Sequence, residues 1–394
     1  MKKLLFIIFG CILFLFSFNH DVAYAEGANN NNLQDQLEQN INKQLGDLDF
    51  STLDEILTNL SNEQKDIFKN RSFLDKVISL VNGEVDNNFD TFFEYIINLM
   101  FDNLVEFLPS LCMIVAISIV CSLIGGFAST EQKGVSSLIY FVCFGVIVVM
   151  VFSSVKGIVS NISSVVLSIK SQMDIIFPIL LTLITSVGSV VTVSAFQPAI
   201  ALLSAGIMNI FTAVMIPIFL FSMVFTVVGN VSPNIKLDKC CKFCSSLFKW
   251  IIGVVFTVFI AFLSVQGITA SSVDSISLRS AKFAIKSYIP LLGGYISDGF
   301  NLIVASSVLI KNAVGATGLI LMFVTIIVPI IKVAIYSLGL KLVAAVVEPL
   351  ADNKIANFLY STSKCLTMLV VCIVAIGFMY LTTVGLLMCM ANMV

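Results

Sequence analysis

The sequence carries unusually few charged side chains. Of its 394 residues, 12% are charged and 58% are hydrophobic, whereas soluble globular domains average about 25% and about 45–50%. This composition excludes a soluble globular enzyme of this length, a disordered chain and a secreted module held together by disulfides. We therefore expect a polytopic, multi-pass membrane protein, with room for several transmembrane helices of about 20 residues each.

Histidine is nearly absent, because the only one in the chain is His20. That residue lies in an N-terminal segment that we predict to be removed, so the mature chain would contain none. Ser-His-Asp and Cys-His catalysis, histidine general bases and histidine metal ligands are then excluded. The G-x-x-x-x-G-K-[ST] phosphate loop is also missing. The sequence therefore predicts a protein that is not an enzyme and uses no cofactor.

Metal and nucleic-acid binding find equally little support. A C-x-x-C at Cys241 to Cys244 has no second ligand pair nearby, and a closed zinc site needs four ligands. We interpret these cysteines as reduced thiols. A strongly basic patch with interleaved aromatic residues is lacking, so nucleic acid is not an expected partner.

The net charge of −2 hides a division of the chain. Residues 1–25 begin with Lys2 and Lys3, continue with an apolar run and end in Ala23-Tyr24-Ala25, which is typical of a signal peptide. An uncleaved membrane anchor is the alternative, and both interpretations place residue 26 outside the cytoplasm. Residues 26–95 carry a charge of −9, and residues 96–394 carry +6.

Residues 26–95 are predicted to form a small helical extracytoplasmic domain, called the head below. One apolar stripe is Leu33, Leu37, Ile41 and Leu45, and a second is Leu53, Ile56, Leu57 and Leu60. Such spacing is typical of short amphipathic helices, which would pack on the membrane or on a partner. A docking module and a solvated spacer both remain compatible with these stripes.

Residues 96–394 are predicted to form the multi-span membrane domain. Its apolar stretches lie at about 107–127, 138–155, 175–229, 250–268, 289–347 and 365–391. The stretches 175–229 and 289–347 exceed one span, and each contains prolines and glycines that favour broken helices. A basic loop around Lys236, Lys239 and Lys242 is expected in the cytoplasm. A re-entrant hairpin at 178–198 then gives six spans, and seven or eight remain open.

The two long stretches are related by an offset of 112 residues, which carries Pro178 onto Pro290 and Pro217 onto Pro329. This offset suggests a parallel internal repeat, 138–229 and 250–341, with re-entrant or broken helices. Chance similarity between sequences so rich in the same few residue types is the alternative. Internal repeats with broken helices are common in transporters, so a stand-alone secondary transporter or permease with a midplane site is a second hypothesis.

Polar residues at membrane depth are the candidate pathway or packing residues, because such groups need partners within the protein. Snorkelling to the membrane surface and pairing at helix ends are the alternative interpretation for the charged ones. The candidates are Gln197, Pro198, Gln266, Asp298, Lys311 and Lys332.

The order of several segments resembles the stage III sporulation protein AE family of endospore-forming bacteria. The resemblance covers roughly residues 90–390, with a looser match around 82–84. The segments that carry it are Phe177–Leu183, Phe196–Ala199, Gln266–Gly267, Leu278–Ala284, Ile289–Gly294, Lys311–Gly315 and Lys341–Pro349.

The resemblance implies a membrane subunit of the channel, or secretion-like, complex that joins mother cell and forespore during stage III of sporulation. It implies localisation to the mother-cell membrane around the forespore. The implied partners are the other membrane proteins of that complex and a separate ATPase, besides the lipid bilayer. It implies no catalytic residues that can be assigned to positions in this sequence.

Overall fold

A computed structural model describes residues 31–60, 64–65, 71–83, 89–127, 133–231, 237–288, 293–349 and 353–390. Within these ranges every regular element is a helix and no strand occurs. Six helices in the described part of the chain are long and apolar enough to cross a membrane. The predicted fold class, an all-α multi-pass membrane protein, is confirmed.

In the described part of the head, the helices with defined bounds are α1 (Asn31–Gly46), α2 (Ser51–Thr58) and α3 (Phe73–Val81). Ser72 begins α3 with a capping box, since its hydroxyl accepts from the Asp75 amide while the Asp75 carboxylate accepts from the Ser72 amide. Before α2, hydrogen bonds from the Ser51 side chain and then its backbone hold the pKa of the Asp49 carboxyl below its usual range.

The membrane part consists mainly of very long helices. They are α4 (Phe89–Phe127), α5 (Lys133–Ser186), α6 (Val190–Ile210), α7 (Ile216–Val231), α8 (Asp238–Tyr288), α9 (Gly293–Val347) and α10 (Asn353–Cys389), with a π-helical turn, Phe211–Met215, between α6 and α7. Since α4 begins at Phe89, it runs through the boundary expected between residues 95 and 96. The other predicted boundaries stay predictions.

Prolines interrupt these helices less than the sequence suggested. Pro109, Pro178, Pro198 and Pro329 all lie inside continuous helices. A proline removes one helical hydrogen bond, and neighbouring helices compensate for that loss in a packed bundle. The predicted break of the second long stretch therefore does not occur between residues 293 and 347.

A break does occur in the first long stretch, where Gly188 forms the turn between α5 and α6. Its φ of 93° lies in the left-handed region that favours glycine. The helices on either side form a hairpin whose tip is at residues 187–189. This arrangement resembles the hairpin predicted at 178–198, although the turn is made by glycine rather than by the flanking prolines.

The bundle has α9 and α10 at its centre as an antiparallel pair. Lys311 near the start of α9 reaches Met390 at the end of α10, and Ser337 near the end of α9 bonds the Ser363 carbonyl near the start of α10. The helices α4, α5, α7 and α8 contact this pair. The centre is therefore the most buried part of the described chain.

Contacts along the helices define two ends of the bundle. The head lies at one end, called the head end, with the turn at 187–189 and the end of α10. The α4–α5, α7–α8 and α9–α10 connections lie at the other, called the loop end. The basic sequence around Lys239 and Lys242 is thus at the opposite end from the acidic head.

Two glycines permit close helix crossings in this core. A Cβ at Gly318 of α9 would lie 2.8 Å from Ile176 Cδ1 of α5, and a Cβ at Gly377 of α10 would lie 2.6 Å from Ile326 Cδ1 of α9. Small residues allow such approach in membrane helices, where apolar burial alone drives association weakly.

Exposure along α5 changes character between its two halves. Its exposed positions from 138 to 149 are Leu138, Phe141, Val142, Gly145, Val146 and Val149. From 153 to 186 they are Ser153, Lys156, Gly157, Ser160, Ser164, Leu167, Asp174, Pro178, Thr182, Thr185 and Ser186. The side chains from 138 to 149 are compatible with contact to lipid. Those from 153 to 186 are mostly polar or charged and are compatible with water, because charged groups are costly in hydrocarbon.

The length of α5 agrees with this division. Its 54 residues extend about 80 Å at 1.5 Å per residue, whereas the hydrocarbon core is about 30 Å thick. A helix of this length therefore leaves the bilayer. The loop-end part of α5 has the apolar surface. The head also contacts α5, and Gln64 of the head and Gln172 of α5 bond neighbouring residues of α9.

The two candidate repeats differ in one element. Residues 190–231 form α6, the π turn and α7, whereas the positions 112 residues later lie within the single helix α9. The first helices of the two repeats, α5 and α8, are similar in length. The duplication itself stays a prediction.

Candidate functional site: polar contacts in the helix bundle

Lys311 lies fully inside the bundle, with no exposed surface. Its Nζ donates a hydrogen bond to the backbone carbonyl of Met390, directly after the end of α10. Carbonyls at a helix C-terminus lack intrahelical partners. A cation there also interacts favourably with the negative end of the helix dipole. Lys311 therefore ties the end of α10 to α9, and its role as a pathway or packing residue stays a prediction.

Lys332 joins α9 to α4. Its Nζ lies 2.8 Å from Glu106 Oε1 and 2.9 Å from Oε2, so the ammonium is shared between both carboxylate oxygens. The same Nζ stands 5.6 Å from the centre of the Phe107 ring, within the range of a cation–π contact. Lys332 thus has a charge partner that the sequence analysis did not identify.

The remaining candidates do not join these lysines. Gln197 and Pro198 lie at exposed positions of α6. Gln266 belongs to α8 and Asp298 to the start of α9, and their side chains are outside the described residues. For these four residues, a pathway role stays a prediction.

Lys311 and Lys332 are also far apart. They are separated by 21 positions on one continuous helix, which corresponds to about 30 Å. One solute site cannot include both side chains. The two lysines make contacts at different levels of the bundle, Lys311 at the end of α10 and Lys332 at the contact with α4.

A buried polar junction lies between these two levels. Gln172 of α5 donates to the Thr325 hydroxyl of α9, at 3.1 Å. Gln64 of the head donates to the neighbouring Val324 carbonyl, at 2.9 Å. Both glutamines are buried, and the contacts fall one turn before Pro329. The head, α5 and α9 therefore meet at a specific point.

A second polar contact holds the head nearer the start of α9. Gln44 of α1 donates from Nε2 to the Ser306 hydroxyl at 3.1 Å, and its Oε1 accepts from the Ser307 hydroxyl at 3.0 Å. Apolar residues of the predicted stripes, including Ile41 and Leu53, are buried in the same core. The head therefore docks on its own chain, and the stripes are not the surface of a solvated spacer.

Local patterns indicate only part of this arrangement. Glu106 and Gln172 lie outside the predicted apolar stretches 107–127, 138–155 and 175–229, and their partners lie 226 and 153 positions away along the chain. A polar residue inside an apolar span is a signal for such a contact, and Lys332 carried that signal. The signal leaves the partner unknown.

The pocket beside the π turn has an apolar lining. The small pocket there is lined by apolar side chains and one thiol: Ile210, Phe211, Met215, Ile252, Val255, Cys372, Ala375, Ile376 and Met379. In the part of the chain that the structure describes, no three His, Cys, Asp or Glu side chains gather closely enough to hold a metal ion.

Comparisons with known proteins agree with the order of segments noted in the sequence. The sequence model of the family described as "Stage III sporulation protein AE (spore_III_AE)" matches residues 71–391. A curated protein of Bacillus subtilis (strain 168), named "Stage III sporulation protein AE", is 24% identical over 263 residues. That alignment covers 67% of this chain and 66% of the relative, so the chain spans just under two thirds of the relative's length. No solved structure matches the chain.

Proposed function

The chain belongs to the stage III sporulation protein AE family, and from this premise we propose that it is a non-enzymatic subunit of a channel, or secretion-like, complex required for endospore development. It is a multi-pass membrane protein of a sporulation family. In the proposal it resides in the mother-cell membrane around the forespore, with the head outside the cytoplasm. Its partners are other membrane proteins of that complex and a separate ATPase.

The observation that carries this proposal is the docking of the head onto helices longer than a bilayer. Gln44 and Gln64 attach the head to α9 at two levels. The exposed face of the adjoining half of α5 is mostly polar. A single body that crosses the bilayer and extends beyond it can transmit contacts with partners on that side into the membrane.

The same geometry gives less support to a stand-alone transporter. A midplane solute site needs polar groups that converge between broken helices. Lys311 and Lys332 are instead about 30 Å apart along α9, and each has a protein partner. The pocket beside the π turn is apolar.

Reversing charges on the head tests the proposal. Glu38, Asp47 and Glu55 are exposed side chains of the acidic head. Changing all three to lysine is expected to weaken capture of the extracytoplasmic partners about tenfold, since roughly 1.4 kcal/mol of lost complementarity has that effect. The measurement is co-purification from sporulating cells with a tagged full-length chain, together with the spore count.

The matched control carries Glu38→Gln, Asp47→Asn and Glu55→Gln, which remove charge without reversing it and are expected to have a smaller effect. Both variants should keep the thermal stability of the wild type, because the three side chains are exposed. Normal co-purification by the lysine variant would refute docking through the acidic head. Failure of the unmodified tagged chain to retain any protein of the complex would refute the proposed function.

A further inference from the structure

The exposed face of α10 is polar over its loop-end half. From 353 to 388, the exposed positions of this helix are Asn353, Asn357, Tyr360, Lys364 and Thr367. The last four, called the α10 stripe, follow helical spacing of three and four residues, which places them on one face. Yet α10 is one of the helices apolar enough to span the membrane. Its polar side chains point outward, where a lipid-facing helix presents apolar ones.

Neighbouring helices at the same level expose apolar side chains. Three contacts fix the level: Phe144 of α5 packs on Phe358, Ser222 of α7 lies 3.2 Å from Cys365 Sγ, and Ser337 of α9 donates to the Ser363 carbonyl. Exposed side chains around these contact points are Phe141, Val142, Val146, Leu220, Phe221, Val224, Leu338 and Leu342. Lipid contact therefore explains α5, α7 and α9 at this level and does not explain α10.

Depth separates the stripe from residues that reach the membrane surface. Asn357 adjoins Phe358, which packs on Phe144 in the segment of α5, from 138 to 149, whose exposed positions carry no polar side chain. A lysine side chain can extend toward the surface, but an asparagine side chain is too short to do so. Lys364 lies 4.2 Å from the centre of the Tyr360 ring, within the stripe itself.

Positive charge is concentrated on this part of the molecule. Helix α8 contacts α10, and its first turns expose Lys239, Lys242 and Lys249. Cys241 of α8 lies 3.6 Å from Thr226 Oγ1, which in turn is 3.7 Å from Cys365 Sγ of α10, so the α8 lysines begin near the level of the stripe. The stripe itself carries one cation, Lys364, and the α8 lysines add positive charge at about the same level.

We propose that the α10 stripe faces water and forms one wall of a cationic aqueous passage, whose other wall is supplied by a neighbouring subunit. A passage enclosed by this chain alone is not compatible with a stripe on its outer surface. In assigning the second wall to another subunit, the inference rests on the proposed function. Charged and polar groups at membrane depth are accommodated where they line water or protein.

Thiol labelling in membranes that contain the assembled complex tests the passage. Thr367→Cys is close in size to the native residue, and Asn357→Cys reports nearer the loop end. Val146→Cys and Val224→Cys are matched controls on apolar faces at the same level, and native Cys112, exposed on α4, is a third. Modification by a charged methanethiosulfonate is read at each cysteine by mass spectrometry.

Positions 357 and 367 should react about tenfold faster than the controls, because the attacking thiolate forms only where water is present. After correction for intrinsic reactivity, an anionic reagent should modify these positions faster than a cationic one. The Lys364→Gln substitution should reduce this difference in rate. Reaction at Asn357→Cys as slow as at Val146→Cys would overturn the passage. If such a chain still co-purifies with the complex, the proposed function stands while the passage fails. Fast labelling without co-purification would support the water-facing stripe and refute the proposed function.

Discussion

Replacing Lys311 by alanine is expected to destabilise the bundle by about 3 kcal/mol, as judged from buried charge-assisted hydrogen bonds and core truncations. The side chain is fully buried, and its Nζ donates to the Met390 carbonyl at the end of α10. Truncation removes this donor and leaves a cavity between α9 and α10. The measurement is the thermal midpoint of the purified full-length chain in detergent.

Two further substitutions separate these effects. Lys311→Met keeps most of the side-chain volume and removes the donor. The stability that this variant loses should therefore be smaller than the stability lost in Lys311→Ala. Lys311→Glu places a carboxylate against a carbonyl and the negative end of a helix dipole, and should be the least stable variant. A Lys311→Ala protein with the wild-type thermal midpoint would show that this lysine does not hold the end of α10.

Reversing one charge of the Lys332–Glu106 pair is expected to cost about 2 kcal/mol, and reversing both should restore much of the loss. The Lys332→Glu variant places two carboxylates at the contact between α4 and α9, where Lys332 is now 2.8 Å from Glu106. In water, an exposed ion pair contributes little to the free energy of unfolding. The exposed side chains of α4 around this level, Leu104, Val105 and Leu108, are apolar, which suits lipid rather than water.

The double-mutant cycle comprises Lys332→Glu, Glu106→Lys and the doubly reversed chain, each measured in detergent and again in lipid bilayers. A larger coupling in bilayers is expected, because hydrocarbon around α4 lowers the local dielectric. Lys332→Gln with Glu106→Gln is the control, since it removes both charges and keeps similar volume. Additive effects of the two reversals would show that the observed pair does not contribute to stability.

Composition alone was sufficient to predict the fold class. An apolar share of 58% with 12% charge requires many membrane helices, and the described chain contains six suitable ones. The charge difference between the head and the rest of the chain predicts separate parts, and this division stays a prediction. The short helices of the head were indicated by local periodicity, which depends only on neighbouring residues.

Breaks in the long helices were harder to predict. Pro329 suggested an interruption, yet α9 continues through it, whereas the turn beside α6 falls at Gly188. A proline deletes a single hydrogen bond, so its effect depends on which helices pack against it. Such packing connects residues far apart in sequence and is not encoded in local pattern.

Polar residues show the same limit. Lys311 and Lys332 were identified because charge is rare in apolar stretches, but Met390 and Glu106 as their partners depend on helix pairing. The α10 stripe was missed because its residues look ordinary in sequence. Only their shared exposed face, beside apolar faces on α5, α7 and α9, distinguishes them.

Labelling from the two sides of the membrane tests the central claim, that the loop-end part crosses the bilayer while the head-end part extends outside the cytoplasm. Ser164→Cys reports on the polar half of α5, and Lys242→Cys reports on the loop end. With a membrane-impermeant thiol reagent and site-resolved mass spectrometry on intact vegetative cells that express the chain in the plasma membrane, where the outer face is open to the medium, position 164 should be modified at once. Position 242 should be modified only after permeabilisation. Modification of position 242 from outside, or protection of position 164 even in permeabilised cells, would contradict this arrangement.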